Sequence, residues 1–260
     1  MGAADFDTCD VLGVPCIVGD LDSACDGVIE YALAGRGGYG VLCNVHVLMT
    51  ARRTPEVMQA LDGAWNVFPD GAPIAWLQRR EGAKRAARVG GPDLMPLVFD
   101  RGRDRGLRHA LFGSTPEVAD ALQTQIRERF PGVQIVAVQV PRPGEEDDLS
   151  ARSRIIESRP HIIWCALGAP KQELWMSRHA STLAPSLLLG VGAAFDFLAG
   201  KKPRAPRWMR QSGLEWLHRL WSEPGRLFRR YATTNALFLV HALSPRRFHG
   251  TAVARSNAEH

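Results

Sequence analysis

The sequence predicts an α/β fold of the Rossmann-like kind, a mainly parallel sheet with helices on both faces, followed by a helical C-terminal appendage. Three observations predict it. Apolar runs of strand length alternate with segments of helical spacing down most of the chain. Residues 109–140 read as a complete βαβ unit. Several of the apolar runs end in Gly, Asn or Asp, the residues that convert a strand into a turn or a helix start.

Taken in order, VLGVPCIV (11–18) predicts one or two short strands around Pro15, and Leu21, Ala24, Cys25, Val28, Ile29 and Ala32 predict a helix capped by Asp20 or Asp22. YGVLCN (39–44) is a strand, and Asn44, Val45 and His46 lead into a helix through Met49 and Ala51. Thr54-Pro55-Glu56 opens the next helix, with proline at its first position. AWNVFPDG (64–71) is a strand ending in Pro69-Asp70-Gly71. Gly90 and Gly91 break the chain before a helix over LMPLVFD, where Pro96 is expected in the first turn. HALFGS (109–114) is a strand, Thr115-Pro116 caps a helix reaching Phe130, and VQIVAVQV (133–140) is a strand. After an acidic, Pro-rich loop at 141–148 come a helix to Arg159, an apolar strand over 162–167, a turn at Gly168, a helix starting in KQELW, and a strand over 186–192.

At 260 residues the chain is long enough for one sizeable α/β core and a small appendage. The odd number of cysteines, Cys9, Cys16, Cys25, Cys43 and Cys165, includes no CxxC pair, which argues against a disulfide framework or a zinc site and fits a reducing cytoplasm. The acidic start MGAADFDTCD lacks a basic residue followed by an apolar run, so no secretory signal is expected. The apolar stretches at 186–200 and 236–243 are interrupted or too short to span a bilayer. Charge is uneven: residues 201–260 hold twelve Lys or Arg against three Glu, a net of +9, while residues 1–200 carry a net of −4. Such a basic segment meets anionic lipid, nucleic acid or a phosphorylated ligand, or else is a solvated face. It interleaves Trp208, Leu214, Leu217, Leu220 and Trp221 with Arg207, Arg210, His218 and Arg219, the pattern of a basic amphipathic helix that docks on the core or on a membrane surface.

Three familiar chemistries are poorly served. GVGAAF (190–195) imitates a dinucleotide fingerprint but lacks its third small residue and a following βαβ unit. No GxSxG elbow is present, and Gly200-Lys201-Lys202 is followed by Pro203, which excludes a P-loop. The remaining candidates are polar residues expected where strands end: Asn44 and His46, Asp70, Asp93, Lys171, Gln172 and Glu173, and Asp196. In an open α/β sheet this edge forms the ligand crevice, because backbone N–H groups and helix dipoles point into it. Lys171, Gln172 and Glu173 are expected at its mouth. Each residue also has an ordinary role as a cap or turn former. Asp70 carries the most weight, since a carboxylate fixed between Pro and Gly at a strand end is placed to take a proton from an attacking hydroxyl. No dense His, Cys and carboxylate cluster calls for a metal.

The ordered motifs CNVH (43–46), FPDG (68–71), GPDLMP (91–96), FGSTPEVA (112–119), LGAPKQELW (167–175), GVGAAFDFLAG (190–200) and PRAPRWMRQSGLEWLHRLWSEPGRLFRRY (203–231) resemble the WecG/TagA/CpsF family of glycosyl transferases over about residues 10–240. The resemblance implies an inverting, metal-independent transfer of a sugar from a UDP-sugar, with no cofactor, in a Rossmann-like fold. It places the catalytic base on Asp70 and an active-site asparagine on Asn44. Gly168, Lys171, Gln172, Glu173, Asp196, Asp93 and Gly113 then frame the nucleotide-sugar. Arg219, Arg226 and Arg229 match three appendage arginines that bind a diphosphate and, with His46 and Cys43, would meet the acceptor. Some members carry a threonine where Leu42-Cys43 stands here, a departure that bears on the sugar or the acceptor.

The expected organisation is a core over 1–200, a basic helical appendage over 201–243 and a flexible tail over 244–260. The expected partners are a UDP-sugar, a lipid-diphosphate-linked or soluble small-molecule acceptor, a membrane surface met through the appendage, and a second copy of the chain; nucleic acid is not expected. The expected location is the cytoplasm, peripheral to the inner membrane face. A non-enzymatic nucleotide-binding module would keep the crevice and basic arm without needing Asp70.

Overall fold

The computed structural model describes residues 6–206 and, beyond them, residues 208, 209, 215–222, 225, 234, 237, 238 and 240–242. The antiparallel hairpin β1 (Thr8–Val11) and β2 (Val14–Ile17) comes first, then helix α1 (Leu21–Leu33). Asp20 caps α1 in a capping box: its side chain accepts from the Ser23 backbone N–H, while the Ser23 hydroxyl accepts from the Asp20 backbone N–H. The main sheet is built from β3 (Gly38–Cys43), β4 (Asn66–Pro69), β5 (Arg108–Gly113), β6 (Gln134–Gln139), β7 (Ile162–Ala166) and β8 (Leu187–Gly190). Its six strands are all parallel and lie in the order β4-β3-β8-β7-β5-β6.

Between the strands run α2 (Val45–Ala51), α3 (Pro55–Asp62), α4 (Ala72–Arg80), α5 (Gly91–Gly102), α6 (Pro116–Arg129), α7 (Leu149–Ser158) and α8 (Lys171–His179), with α9 (Ala194–Leu198) after β8. The directions of the crossovers sort the helices. Connections stepping toward the β4 edge carry α2, α3, α7 and α8, whose Val47, Leu48, Leu61, Ile155, Trp175 and Met176 fill one apolar cluster. Steps the other way carry α5 and α6, which with α1 and α9 fill a second cluster on the opposite face, while α4, ahead of α5 in the same connection, puts Ile74 and Leu77 into the first cluster. This is what right-handed crossovers in one sheet require. The central strands are buried on both faces, so β7 and β8 read as unbroken apolar runs rather than alternating ones. The hairpin packs against β4, covering that edge of the sheet. Gln78 on α4 pins it with hydrogen bonds from Nε2 to the Ile17 carbonyl at 2.8 Å and the Cys16 carbonyl at 3.3 Å.

Two of the described α-helices were not among those predicted. α4 follows Asp70-Gly71 at once, with Pro73 tolerated in its first turn, and α9 is a short helix of five residues. The position of Pro96 also differs from expectation. α5 already starts at Gly91, so Pro96 lies inside it, where its missing N–H leaves the Pro92 carbonyl without the usual helix partner. Arg204, from the segment after the core, donates Nη1 to that carbonyl at 3.3 Å.

His109 on β5 is a polar residue enclosed in the second cluster. Its Nδ1 accepts from Trp164 Nε1 at 3.2 Å, and its ring meets Phe99 edge to face. Burial pulls its pKa down to about 3, with His161 adding repulsion. The native ring is therefore neutral, whereas an unfolded histidine with a pKa near 6.5 binds a proton as the medium is acidified. The resulting stability is fully present above about pH 6.5 and is lost as pH falls toward 3, at up to about 1.4 kcal/mol per pH unit. Replacing His109 by Phe should flatten the acid limb of a urea-unfolding series between pH 7 and 4. At pH 8 the same variant should be less stable by about 1–3 kcal/mol, because the Trp164 N–H loses its acceptor. An acid limb as steep as that of the wild type would show that His109 does not carry it.

Among the described residues no helix is long and apolar enough to cross a membrane. α10 (Glu215–Ser222) is the longest described piece of the appendage. Residues 244–260 lie outside the described residues.

Candidate active site

The carboxyl ends of β4, β3, β8, β7 and β5 follow one another along one edge of the sheet, and most of the predicted residues fall there. Asp70 directly follows β4. Its backbone N–H bonds the Cys43 carbonyl at 2.9 Å, and Gly71 leaves it at φ 114°, a conformation that favours glycine. The Asp70 backbone is thus held against the end of β3 while the chain turns into α4.

The return segment between α4 and α5 brings a residue that the sequence reading missed. Val89 N–H bonds the Pro69 carbonyl at 2.8 Å, laying Arg88, Val89 and Gly90 beside the end of β4. A Cβ added at Gly90 would lie 2.6 Å from Arg88 Nη2 and 3.0 Å from Asp70 Oδ1. The guanidinium and the carboxylate oxygen therefore flank the same point and are near neighbours. Arg88 is also held at both ends, by Asp93 Oδ2 at 2.6 Å on Nη2 and by Glu215 Oε2 at 2.9 Å on Nη1. Nothing in a single sequence marks an arginine between two helices as a site residue, because its place depends on the backbone bond from Val89 to Pro69.

Asp93 is not at a strand end as expected but in the first turn of α5, because residues 88–90 form no strand of their own. Its Oδ2 takes both Arg88 and, at 2.6 Å, Arg204 Nη2. The carboxylate is the hub of an ion-pair network. Beside it, Pro92, Pro96, Phe197, Leu198, Arg129 and Arg204 border a groove of about 340 Å³.

Asn44 is the N-cap of α2: its Oδ1 accepts from the His46 N–H at 3.0 Å and the Val47 N–H at 3.2 Å. Its side-chain amide nitrogen makes no hydrogen bond among the described residues, which leaves a donor at the crevice edge. His46, next in the helix, is half-buried. Cys43 differs from expectation. Its side chain is fully buried, and burial, together with Cys16, Glu173 and Asp70, raises its thiol pKa well above the ordinary value. It is a neutral wall residue under the site and cannot touch an acceptor from there, because β3 is a central strand covered on both faces.

The three residues expected at the mouth of the crevice separate. Gln172 is 4% exposed and Glu173 0% exposed, so neither stands open to solvent at the mouth. Gln172 Nε2 donates to Glu173 Oε1 at 2.9 Å, and Gln172 Oε1 accepts from the Gly192 N–H at 3.2 Å, tying the loop after β8 to the start of α8. Helical periodicity turns these two side chains inward and Lys171 outward. Lys171 bonds Glu146 in the 141–148 loop, a pairing that lowers the Glu146 pKa. Trp175 Nε1, bonded to the Glu146 carbonyl at 2.9 Å, fastens the same loop.

Gly168 turns at φ 79° with open space around an added Cβ, so its conformation alone calls for glycine. Gly113 is tighter. It has φ 103°, and a Cβ there would come within 2.8 Å of the Ala166 backbone carbon and oxygen. Ser114 follows at φ 69°, unusual for a non-glycine residue, with its N–H on the Ala166 carbonyl at 3.0 Å. Asp196 on α9 faces Lys202, 3.8 Å away. Of the appendage arginines, Arg219 lies on α10 without a described side chain, and Arg226 and Arg229 lie outside the described residues. Among the described residues no group of three or more His, Cys, Asp or Glu side chains is placed to hold a metal ion.

The arrangement therefore offers a strand-end carboxylate with a guanidinium beside it, an amide donor on the neighbouring strand and glycine turns at the ends of β7 and β5. That suits acid–base chemistry on an anionic ligand. A protein similar to this chain is the N-acetylglucosaminyldiphosphoundecaprenol N-acetyl-beta-D-mannosaminyltransferase of Bacillus spizizenii (strain ATCC 23059 / NRRL B-14472 / W23), 24% identical over 235 residues that make up 88% of this chain and 90% of the relative. The family model described as glycosyl transferase WecG/TagA/CpsF family matches residues 9–251, nearly the whole length, and the chain belongs to that family.

Proposed function

We propose that this protein transfers a sugar from a UDP-sugar, with inversion and without a metal, to an acceptor carried on a lipid diphosphate. The observation that carries this reading is Asp70, fixed at the end of β4 with Arg88 alongside, in a member of a glycosyl transferase family. The acceptor hydroxyl attacks the anomeric carbon from the face opposite the nucleotide. The new C–O bond forms as the bond to the diphosphate breaks, the bonding pair leaves with UDP, and the hydroxyl proton passes to Asp70. Arg88, Lys171, the N-terminus of α8 and the appendage arginines Arg219, Arg226 and Arg229 offset the charge gathering on the departing diphosphate. Asn44 donates from its amide to the sugar or to the acceptor, and Asp196 with the glycine turns at Gly113 and Gly168 borders the nucleotide. Gln172 and Glu173 shape the crevice from behind.

A lipid-linked acceptor is favoured over a soluble one by the described appendage, where Trp208, Trp216 and Trp221 are exposed beside basic residues. Tryptophan and arginine side by side suit the interface of an anionic bilayer. The similar Bacillus protein is named for a lipid-diphosphate-linked acceptor, which agrees. On this reading the core over 1–200 carries the chemistry, the segment 201–243 meets the membrane, and the protein works on the cytoplasmic face.

A UDP-release assay over a panel of UDP-sugars, with a prenyl-diphosphate-linked amino sugar as acceptor and with soluble sugars in its place, tests the reading. Release stimulated by the lipid-linked acceptor and undiminished by EDTA is expected. Stimulation only by soluble acceptors would move the protein to small-molecule glycosylation, and activity lost to EDTA and restored by magnesium or manganese would overturn the metal-free mechanism. UDP binding with no turnover of any donor would favour the non-enzymatic module.

A further inference from the structure

The loop carrying Arg88 is joined to the appendage by four side chains of alternating charge. Arg204, after the core, reaches Asp93 on α5 at 2.6 Å; Asp93 takes Arg88 at 2.6 Å; Arg88 reaches Glu215 on α10 at 2.9 Å. Their side chains are only 18–25% exposed. A guanidinium is planar, and a carboxylate on each terminal nitrogen fixes both its position and its plane, which a single contact would not do. Arg88 is the member of this chain that shares the neighbourhood of Gly90 with Asp70.

We propose that Glu215 is a positioning residue of the reaction centre, holding Arg88 beside Asp70 from α10. The inference rests on the glycosyl-transfer reading in which Asp70 is the base. Taking such largely buried charges out of water offsets much of what their pairing gains, so what the Glu215 contact contributes is geometry. Without it, Arg88 keeps one anchor, Asp93, which Arg204 already shares. The guanidinium is then free to swing as a plane about the bonds of its side chain and to leave its place beside the Asp70 carboxylate.

The test is a double-mutant cycle with Arg88→Gln and Glu215→Gln, read on kcat and on KM for the UDP-sugar. Glu215→Gln should lower kcat about ten- to a hundred-fold, the size of effect that misplacement of a group by about an ångström produces, with KM for the donor changed less than threefold. In the Arg88→Gln background the same change should have no further effect. Factors that multiply across the cycle, or a kcat unchanged in Glu215→Gln, would overturn the proposal and leave Glu215 as a docking contact alone. A second readout needs no substrate. The 15N–1H signals of the Arg88 guanidinium should shift and broaden in Glu215→Gln, and unchanged signals would also overturn it. A wild-type protein that turns over no donor would remove the functional reading, while the guanidinium signals would still decide whether Glu215 holds Arg88.

Discussion

Asp70→Asn is expected to lower turnover by about a hundred- to ten-thousand-fold, the usual cost of removing a general base, while UDP affinity stays within a few-fold. The substitution keeps the size and shape of the side chain and removes its ability to take the proton. The surroundings make it a clean experiment. The Asp70 backbone is anchored by its own N–H on the Cys43 carbonyl, so the strand end and the turn into α4 do not depend on the carboxylate. Cys43, buried beneath with its thiol pKa raised, stays neutral and offers no substitute base. Isothermal titration with UDP and a UDP-release assay on the same preparation separate binding from chemistry. Turnover within about threefold of the wild type would remove Asp70 from the mechanism and leave the site a binding crevice.

Gly90→Ala should lower turnover by about a hundred-fold with little loss of stability. Gly90 has φ −103°, which alanine adopts without strain, so the backbone tolerates the change. The added methyl instead meets Arg88 Nη2 at 2.6 Å and Asp70 Oδ1 at 3.0 Å, and both must move away. Arg88 moves against the hold of Asp93 and Glu215, and Asp70 moves from the position from which it takes the proton. Displacement of reacting groups by about an ångström costs on the order of a hundred-fold in rate, whereas pushing aside the ends of two partly exposed side chains costs little folding free energy. A urea midpoint near the wild-type value together with depressed kcat is the expected pair of results. Normal kcat would show that the closeness of Arg88 and Asp70 across Gly90 has no catalytic weight. A large fall in the midpoint would assign the glycine to the fold instead.

The strands and most helices were legible because their signals are local. Asp20, Asn44 and Thr115 announce helix starts through side chains that bond the backbone two or three residues on, and the structure has all three as caps. The apolar runs of β3, β5, β7 and β8 can only be strands buried on both faces, and that pattern implies a parallel sheet. Asp70 at a strand end followed by a helix start was legible for the same reason, since Pro69 and Gly71 flank it directly in sequence. The inward turn of Gln172 and Glu173 was not. A helix start next to a crevice presents some side chains to the opening and others to the sheet, and which do which depends on the rotation of α8 against β7 and β8.

By itself the sequence determined the alternation of elements, the caps that begin the helices, the strand-end position of Asp70 and, through its motifs, the family. Only the tertiary structure decided the company Asp70 keeps. Arg88 and Glu215 are 127 residues apart in the chain, and they meet because β4 lies at one end of the sheet, the following loop bonds back along it, and α10 packs over that loop. The burial of Cys43 was likewise decided by strand order, which placed β3 between β4 and β8. Periodicity and capping are read over a few residues, where backbone geometry allows few choices. Ion pairs between distant segments depend on how whole elements stack, which no local pattern encodes.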